Sequence, residues 1–210
     1  MWVSLNENPT REKIILLLKK NGPMPIEDLS KELKITSMGI RQHLLSLERK
    51  GIIDYVTKKQ GIGRPAFLYR LTDKADNLFP KAYHSFIIDT FKDIEKNEGR
   101  DKVDELFKWR RMRLIKDTKD IFSDKPTLDE KINGLKDMLE LKGYLVELDE
   151  SDNSYTLKEF NCPIFQVASV FQEACKHELQ FYRDVLGRDV NRQECMSEGN
   201  ISCTYSIPKR

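Results

Sequence analysis

The sequence is poor in histidine and in long apolar runs, and these shortages argue against several classes of protein. It has three histidines in 210 residues, and no two have the spacing with which one helix holds a metal ion. It also lacks a His-Glu-x-x-His motif, a nucleophile elbow and a glycine-rich nucleotide loop after a strand. No apolar run approaches the roughly 20 residues needed to span a bilayer. We therefore expect neither an enzyme nor a membrane protein.

The first seven residues, 1–7, lack the basic segment followed by an apolar segment that marks a secretory signal. We therefore expect a cytoplasmic protein, in which a reducing environment makes disulfides the less favoured use of its four cysteines. A chain of 210 residues is also long enough for two modest hydrophobic cores. A division into a reading domain and a sensing domain is thus feasible.

The charges are unevenly distributed along the chain. Residues 1–75 hold 14 Lys and Arg against 8 Asp and Glu, whereas residues 76–210 hold 22 against 26. A local positive excess attracts a phosphate backbone. Because imbalances of this size also arise by chance, the charge favours a nucleic-acid partner without establishing one.

Three segments between residues 8 and 49 predict three helices. Asn8-Pro9-Thr10 begins the first, Pro25 with Glu27-Asp28 begins the second, and Thr36 or Ser37 caps the third. Each segment carries apolar residues at helical spacing. A short second helix, a tight turn and a third helix with a polar outer face indicate a helix-turn-helix.

A β-hairpin is predicted directly after these helices. The strand-like runs 52–57 and 66–71 are joined by Lys58-Lys59-Gln60-Gly61-Ile62-Gly63-Arg64-Pro65. Glycine permits tight turns at the tip, and Arg64 beside Pro65 is suited to a narrow minor groove. The hairpin completes the pattern of a winged helix.

In such a fold the N-terminal half of the third helix enters the major groove of double-stranded DNA. An isolated polar helix face is often merely solvated, but the hairpin behind this one favours DNA contact. Arg41 and Gln42 are predicted to bond base edges, while Ser37, Lys58 and Lys59 hold phosphates. The full set of predicted DNA contacts is Ser37, Met38, Arg41, Gln42, Lys58, Lys59 and Arg64.

The order of three helices and a hairpin, ending in Gly63-Arg64-Pro65 and Tyr69-Arg70-Leu71-Thr72, resembles the ArsR- and MarR-like winged-helix repressors. The resemblance covers about the first third of the chain. It implies a DNA-binding transcription regulator and says nothing about the signal that controls it.

Residues 76–125 are rich in helix formers, with apolar residues at helical spacing. Because winged-helix operators are commonly two-fold symmetric, these apolar stripes are candidates for a homodimer contact. Packing of the same stripes inside the C-terminal domain is an equally good interpretation. We expect a helical linker and dimerisation region here.

The C-terminal residues 126–210 predict a mixture of helices and strands. A helix over 128–141 precedes a second hairpin with its turn at 152–154, and a single helix is expected from Cys162 to about Leu186. Two strands, at 190–196 and 201–207, then carry Cys195 and Cys203. The expected fold class is α+β, with domains at 1–75, 76–125 and 126–210.

Cys162, Cys175 and Cys203, with Cys195 as a fourth possibility, are the candidate metal ligands. Thiols that converge in a reducing compartment favour zinc or an iron–sulfur cluster. No Cys-x-x-Cys knuckle is present, and free cysteines are often simply part of a core. Spacing alone leaves cluster, zinc and unrelated buried thiols equally open.

Three further motifs carry a second resemblance: Asn161-Cys162-Pro163-Ile164, then Cys175 with Glu178-Leu179, then residues 199–207 around Cys203. In this order they are similar to the C-terminal sensor of the SufR-type repressors of iron–sulfur cluster assembly. The resemblance implies a homodimer with a 4Fe-4S cluster bound by Cys162, Cys175 and Cys203, and repression that is relieved when the cluster is lost. The remaining iron ligand could be Cys195, His177, Glu178 or a small molecule.

Overall fold

The computed structural model describes residues 8–58, 65–123, 125 and 127–210. The chain divides into two compact units, Met1–Lys81 and Ala82–Arg210. The first unit combines helices with a hairpin, and the second combines helices with a four-stranded sheet. The predicted α+β fold class is confirmed.

The first unit contains the three expected helices, α1 (Pro9–Asn21), α2 (Ile26–Leu33) and α3 (Ser37–Arg49). The Asn8 side chain accepts a hydrogen bond from the Thr10 amide and so caps α1, while Thr36 caps α3 by accepting from the Gly39 amide. The core between these helices is aliphatic, with Ile14, Ile15, Leu18, Leu29, Ile40, Leu44 and Leu47 buried. This packing fixes which face of α3 is left to solvent.

The hairpin of the first unit consists of β1 (Ile53–Lys58) and β2 (Ala66–Leu71). The strands are antiparallel, with Ile53 opposite Leu71 and Lys58 opposite Ala66. The Arg70 guanidinium donates to both carboxylate oxygens of Asp54, at 2.7 and 3.1 Å. A bidentate pair of this kind holds the two strands in register. Residues 59–64 at the tip of the predicted wing lie outside the described residues.

The second unit begins with the helices α4 (Tyr83–Glu98), α5 (Arg100–Asp117), α6 (Lys119–Ser123) and α7 (Leu128–Leu141). The strands β3 (Leu145–Glu150) and β4 (Ser154–Asn161) follow, then α8 (Phe165–Ala168), α9 (Glu173–Leu186), β5 (Asn191–Glu194) and β6 (Cys203–Pro208). The sheet is antiparallel in the order β3-β4-β6-β5. Its core also takes in Val103 and Phe107 of α5. The long helices therefore pack with the C-terminal sheet in one compact unit.

The single helix expected from Cys162 to Leu186 is wrong, because the structure breaks it into α8 and α9 with a turn between them. Phe171 lies in this turn and is buried against Phe91 of α4, with 5.5 Å between the ring centroids. Packing across the unit thus overrides the helical periodicity. The last two strands are also shorter than expected: Cys195 follows β5 and Cys203 begins β6.

No helix within the described ranges is both long enough and apolar enough to cross a membrane.

Candidate DNA interface and cysteine cavity

The outer face of α3 presents the side chains that the sequence predicts to contact DNA. Ser37, Met38, Arg41 and Gln42 are all exposed, and Met38 keeps 66% of its surface. On the opposite face, Ile40 and Leu44 are buried. This polar and cationic surface on one end of a helix is the arrangement with which helix-turn-helix proteins enter a major groove.

The rest of the predicted DNA contacts belong to the hairpin. Lys58 ends β1, and Lys59 and Arg64 lie outside the described residues. Sequence reasoning missed an aromatic pair on the two strands of the hairpin: Tyr55 and Phe67 are both about half exposed and stack edge to face, with 5.0 Å between centroids. Alternation of apolar residues in the two strands was the available signal for this exposed pair.

Three of the four cysteines line one small cavity in the second unit. Cys162 comes directly after β4, Cys175 lies in the first turn of α9, and Cys203 is the first residue of β6. The cavity has a volume of about 10 Å³. Its other lining residues are Ile164, Phe165, Ala168, Ala174, Glu178, Met196 and Ser197. The structure therefore brings together the trio that is spread over the sequence.

Cys195 lies beside this cavity but does not line it. Its Sγ is 3.1 Å from Ser197 Oγ, and Ser197 Oγ is 3.6 Å from Cys175 Sγ. Ser197 thus stands between the two sulfurs. The expectation that Cys195 lies within a strand is wrong, because Cys195 follows β5 and precedes a short 3-10 helix, Met196–Glu198.

The cavity thiols are held in their neutral form. Burial, together with the nearby Glu178 carboxyl, raises the pKa of Cys162 to about 12. Burial likewise raises the pKa of Cys175 to about 11 and raises the pKa of Cys203 strongly. Removing a thiol from water disfavours the thiolate. A metal that binds here has to displace these protons.

Two carboxyl groups near the cysteines accept hydrogen bonds from tyrosines: Glu178, which lines the cavity, and Glu159, which is opposite Cys203 in the sheet. Glu178 accepts hydrogen bonds from the hydroxyls of Tyr144 at 2.7 Å and Tyr205 at 3.2 Å. Glu159 is fully buried and accepts from the Tyr182 hydroxyl, while its Oε2 has no hydrogen-bond partner among the described residues. Burial, and then repulsion from Glu178, raises the pKa of Glu159. The sequence pattern gave no sign of Glu159.

Among the three candidates for a fourth iron ligand, Glu178 is the one that lines the cavity with the trio. His177 lies on a neighbouring face of α9, where its Nε2 is 3.1 Å from Asp104 Oδ1. His177 is therefore hydrogen-bonded to Asp104 of α5 and does not line the cysteine cavity.

The donor set fits a thiophilic metal or an iron–sulfur cluster, since three thiols and one carboxyl line a common space. The space itself is small, because a volume of about 10 Å³ is near the minimum that holds one water molecule. Within the described residues, no three His, Cys, Asp or Glu side chains are yet grouped as a finished metal site. Binding of a cluster thus requires the segments around the cavity to move apart.

Part of the first unit matches a known family. Residues 7–54 match the winged helix-turn-helix DNA-binding family. No curated protein matches the chain.

Several solved structures are similar to parts of the chain. The C30S mutant of ZitR from Lactococcus lactis is 19% identical, covering 54% of this chain and 77% of its own, with a TM-score of 0.32. NMB1585, a MarR family regulator from Neisseria meningitidis, is 17% identical over 65% of this chain and 82% of its own, with a TM-score of 0.30. PadR from Bacillus subtilis in complex with operator DNA is 18% identical over 83% and 91%, with a TM-score of 0.30.

The family match covers α1, α2, α3 and the start of β1, which are the elements that form the helix-turn-helix. The chain therefore carries a winged helix-turn-helix DNA-binding domain at its N-terminal end.

Proposed function

We propose that this winged-helix transcriptional regulator is a repressor that binds a 4Fe-4S cluster through Cys162, Cys175 and Cys203, and that cluster loading sets its affinity for double-stranded operator DNA. One observation carries the proposal: three thiols from three different elements line the same cavity. When bound, the cluster supplies a redox-sensitive link among these elements. The controlled genes, by resemblance, are those of iron–sulfur cluster assembly.

The chain's own residues give this site the properties of a sensor. Buried, neutral thiols have to lose protons before they bind iron, so loading is not spontaneous at every pH. The pre-existing cavity is small. Loading is therefore coupled to a movement of the segments that carry Cys162 and Cys203. A conformational change of this kind can shift the population of DNA-binding-competent molecules.

Glu178 is proposed as the remaining iron ligand in preference to Cys195. It lines the cavity, and two tyrosine hydroxyls orient its carboxyl group. Oxygen ligation leaves one iron more weakly held than full thiolate ligation, since thiolates are the preferred ligands of such clusters. A weakly held iron suits a protein that responds to oxidation.

A homodimer is proposed as the working form. Tyr83 and Phe86 of α4 and Trp109 and Met112 of α5 are each about half exposed or more. Large apolar side chains on two neighbouring helices mark a surface that a second protein chain can cover.

The proposal is tested by anaerobic reconstitution with ferrous iron and sulfide, followed by visible absorption and by iron, sulfide and zinc analysis. We expect four irons and four sulfides per chain in the wild type, and little of either in Cys162→Ser, Cys175→Ser and Cys203→Ser. Cys195→Ser is the matched control and should load fully, whereas Glu178→Gln should load but lose iron faster in air. Full loading of all three trio variants would contradict the proposal.

Zinc binding, or reversible disulfide formation, is the second candidate function of the same site. The small size of the cavity favours it, because a single ion needs less space than a cluster. Zinc at one equivalent per chain without visible absorption would support this alternative. A disulfide would instead remove two of the four thiols from titration, without metal.

A further inference from the structure

A second cavity lies next to the cysteine cavity and is lined by cationic, apolar and other polar side chains, the Glu178 carboxyl among them. Its volume is about 120 Å³. Arg110, Arg111 and Lys142 lie on one part of its wall, and Leu114, Met138 and Phe181 on another. Charge and apolar surface together in one enclosed space are typical of a site for a small amphipathic ligand.

Two of the three cations form no side-chain ion pair or hydrogen bond among the described residues. Arg111 Nε lies 3.6 Å from Asp184 Oδ2, whereas the side chains of Arg110 and Lys142 have no such partner in the described ranges. The pKa of Lys142 is lowered, by burial and then by the neighbouring Arg110. The Glu178 carboxyl also lines the cavity and is attracted by Arg110, but three cations line the cavity against this one carboxyl, so the wall attracts an anion.

A buried polar atom points independently to a ligand. His177 lines the same cavity and its side chain is 9% exposed. Its Nε2 is paired with Asp104, while its Nδ1 is buried without a hydrogen-bond partner among the residues described. Buried polar groups are nearly always hydrogen-bonded in a protein's working state. Because Nε2 donates to the Asp104 carboxylate, Nδ1 of a neutral imidazole is an acceptor, and a water molecule that donates both to Nδ1 and to a bound anion would satisfy it.

We propose that the cavity binds a small organic carboxylate, with its head group on Arg110 and Lys142 and its carbon chain against Leu114, Met138 and Phe181. The size of the cavity sets the size of the ligand. An apolar cavity of about 150 Å³ holds benzene, so a space of 120 Å³ takes roughly six non-hydrogen atoms. The apolar lining selects an organic anion over inorganic phosphate.

The position of the cavity gives the ligand access to the sensor. Ile164 and Glu178 line both this cavity and the cysteine cavity. A bound carboxylate therefore contacts the wall that separates the two. The proposal concerns the metal-free protein as well, so it does not depend on whether a cluster binds.

The test is a titration of the ¹⁵N-labelled, metal-free full chain with butyrate, which has six non-hydrogen atoms, followed by amide chemical shifts. We expect saturable shifts around the cavity with a Kd on the order of 1 mM. Butyramide, which has the same shape without the charge, should bind at least about tenfold more weakly.

Arg110→Gln should weaken butyrate binding at least about tenfold, because it removes a charge-assisted hydrogen bond. Arg113→Gln is the matched control, since Arg113 is exposed on the same helix and does not line the cavity. Equal affinity of Arg110→Gln and Arg113→Gln for butyrate would overturn the proposal. Equal affinity of the wild type for inorganic phosphate and butyrate would overturn it as well. Because EDTA-treated protein is used, absence of an iron–sulfur cluster leaves this result unaffected.

Discussion

Arg41 and Gln42 are the residues that the sequence predicts to read DNA, and both lie in one turn of helix α3. Both side chains are exposed on α3, while Ile40 and Leu44 beside them are buried and fix the orientation of that face. Thr36 caps the helix and so sets where its first turn begins. The predicted DNA contacts are thus oriented by buried residues and by the cap of the helix.

Arg41→Ala is expected to weaken specific DNA binding by about 1–3 kcal/mol, because a bidentate contact to a base edge is worth about that much. Fluorescence anisotropy with a DNA fragment selected from a random pool measures the effect. Arg188→Ala, which removes an equal charge from an exposed site in the second unit, should leave affinity nearly unchanged. An equal loss in both variants would refute base contact by Arg41.

Asp104 predicts a pH dependence of the second unit's stability. A hydrogen bond from Lys176, and then one from His177, lowers the pKa of Asp104 in the folded protein. A depressed carboxyl pKa contributes stability above the unfolded value of 3.8, and this contribution is lost as the pH falls through the folded value.

Asp104→Asn should therefore lower the free energy of unfolding at pH 7 by about 0.5–1 kcal/mol, a solvent-screened value, and should flatten the decline of that free energy as the pH falls below 3.8. Urea unfolding at a series of pH values measures both. Asp89→Asn, at an exposed site on α4, serves as the control. A decline as steep in Asp104→Asn as in the wild type would contradict the assignment.

At the scale of elements, helix α7 is stabilised by its own boundary residues. Thr127 Oγ accepts a hydrogen bond from the Glu130 amide, and the Glu130 carboxylate accepts one from the Thr127 amide, which forms a complete capping box. This reciprocal pair satisfies two amides that have no partner within the helix.

Thr127→Ala is expected to destabilise the second unit by about 1 kcal/mol, whereas Thr127→Ser should keep nearly all of the stability. The free energy of unfolding is measured in urea by Trp109 fluorescence in a Trp2→Phe background. If the alanine and serine variants unfold at the same urea concentration, the capping box does not stabilise the unit.

Local signals explain which elements were predictable from the sequence. Helix α7 has its predicted bounds, and α1, α2 and α3 begin at or within a residue of their predicted starts, because caps, prolines and apolar periodicity act within a few residues. The break between α8 and α9 was not predictable, since it depends on Phe171 packing against the distant Phe91. The candidate sites also divide into predictable and unpredictable parts. The cysteines of the cysteine cavity were identifiable from the sequence, whereas the burial of Glu159 and the existence of the second, cationic cavity depend on tertiary packing.

At the scale of the whole molecule, the chain combines two compact units. The first carries the helix-turn-helix, and the second carries the cysteine cavity and the exposed apolar residues of α4 and α5. Dimerisation through that surface would place two DNA-reading helices on one two-fold symmetric operator.

Phe86→Glu is expected to shift the protein from dimer to monomer, because Phe86 is 72% exposed on α4 and burying an unpaired charge in an apolar interface is costly. Analytical ultracentrifugation at micromolar concentration measures the change. Leu141→Glu places a charge at another exposed apolar residue and should leave the dimer intact. Dissociation by Leu141→Glu alone would place the interface elsewhere.

Control of DNA binding by cluster loading is tested most directly by the affinity for one selected operator fragment, measured by anisotropy for loaded and metal-free protein under anaerobic conditions. We expect loaded wild type to bind at least about fivefold tighter than metal-free wild type, the lower end of typical allosteric coupling. Cys162→Ser after the same treatment should bind like the metal-free protein. Equal affinity of loaded and metal-free wild type would contradict control of DNA binding by the cysteine cavity.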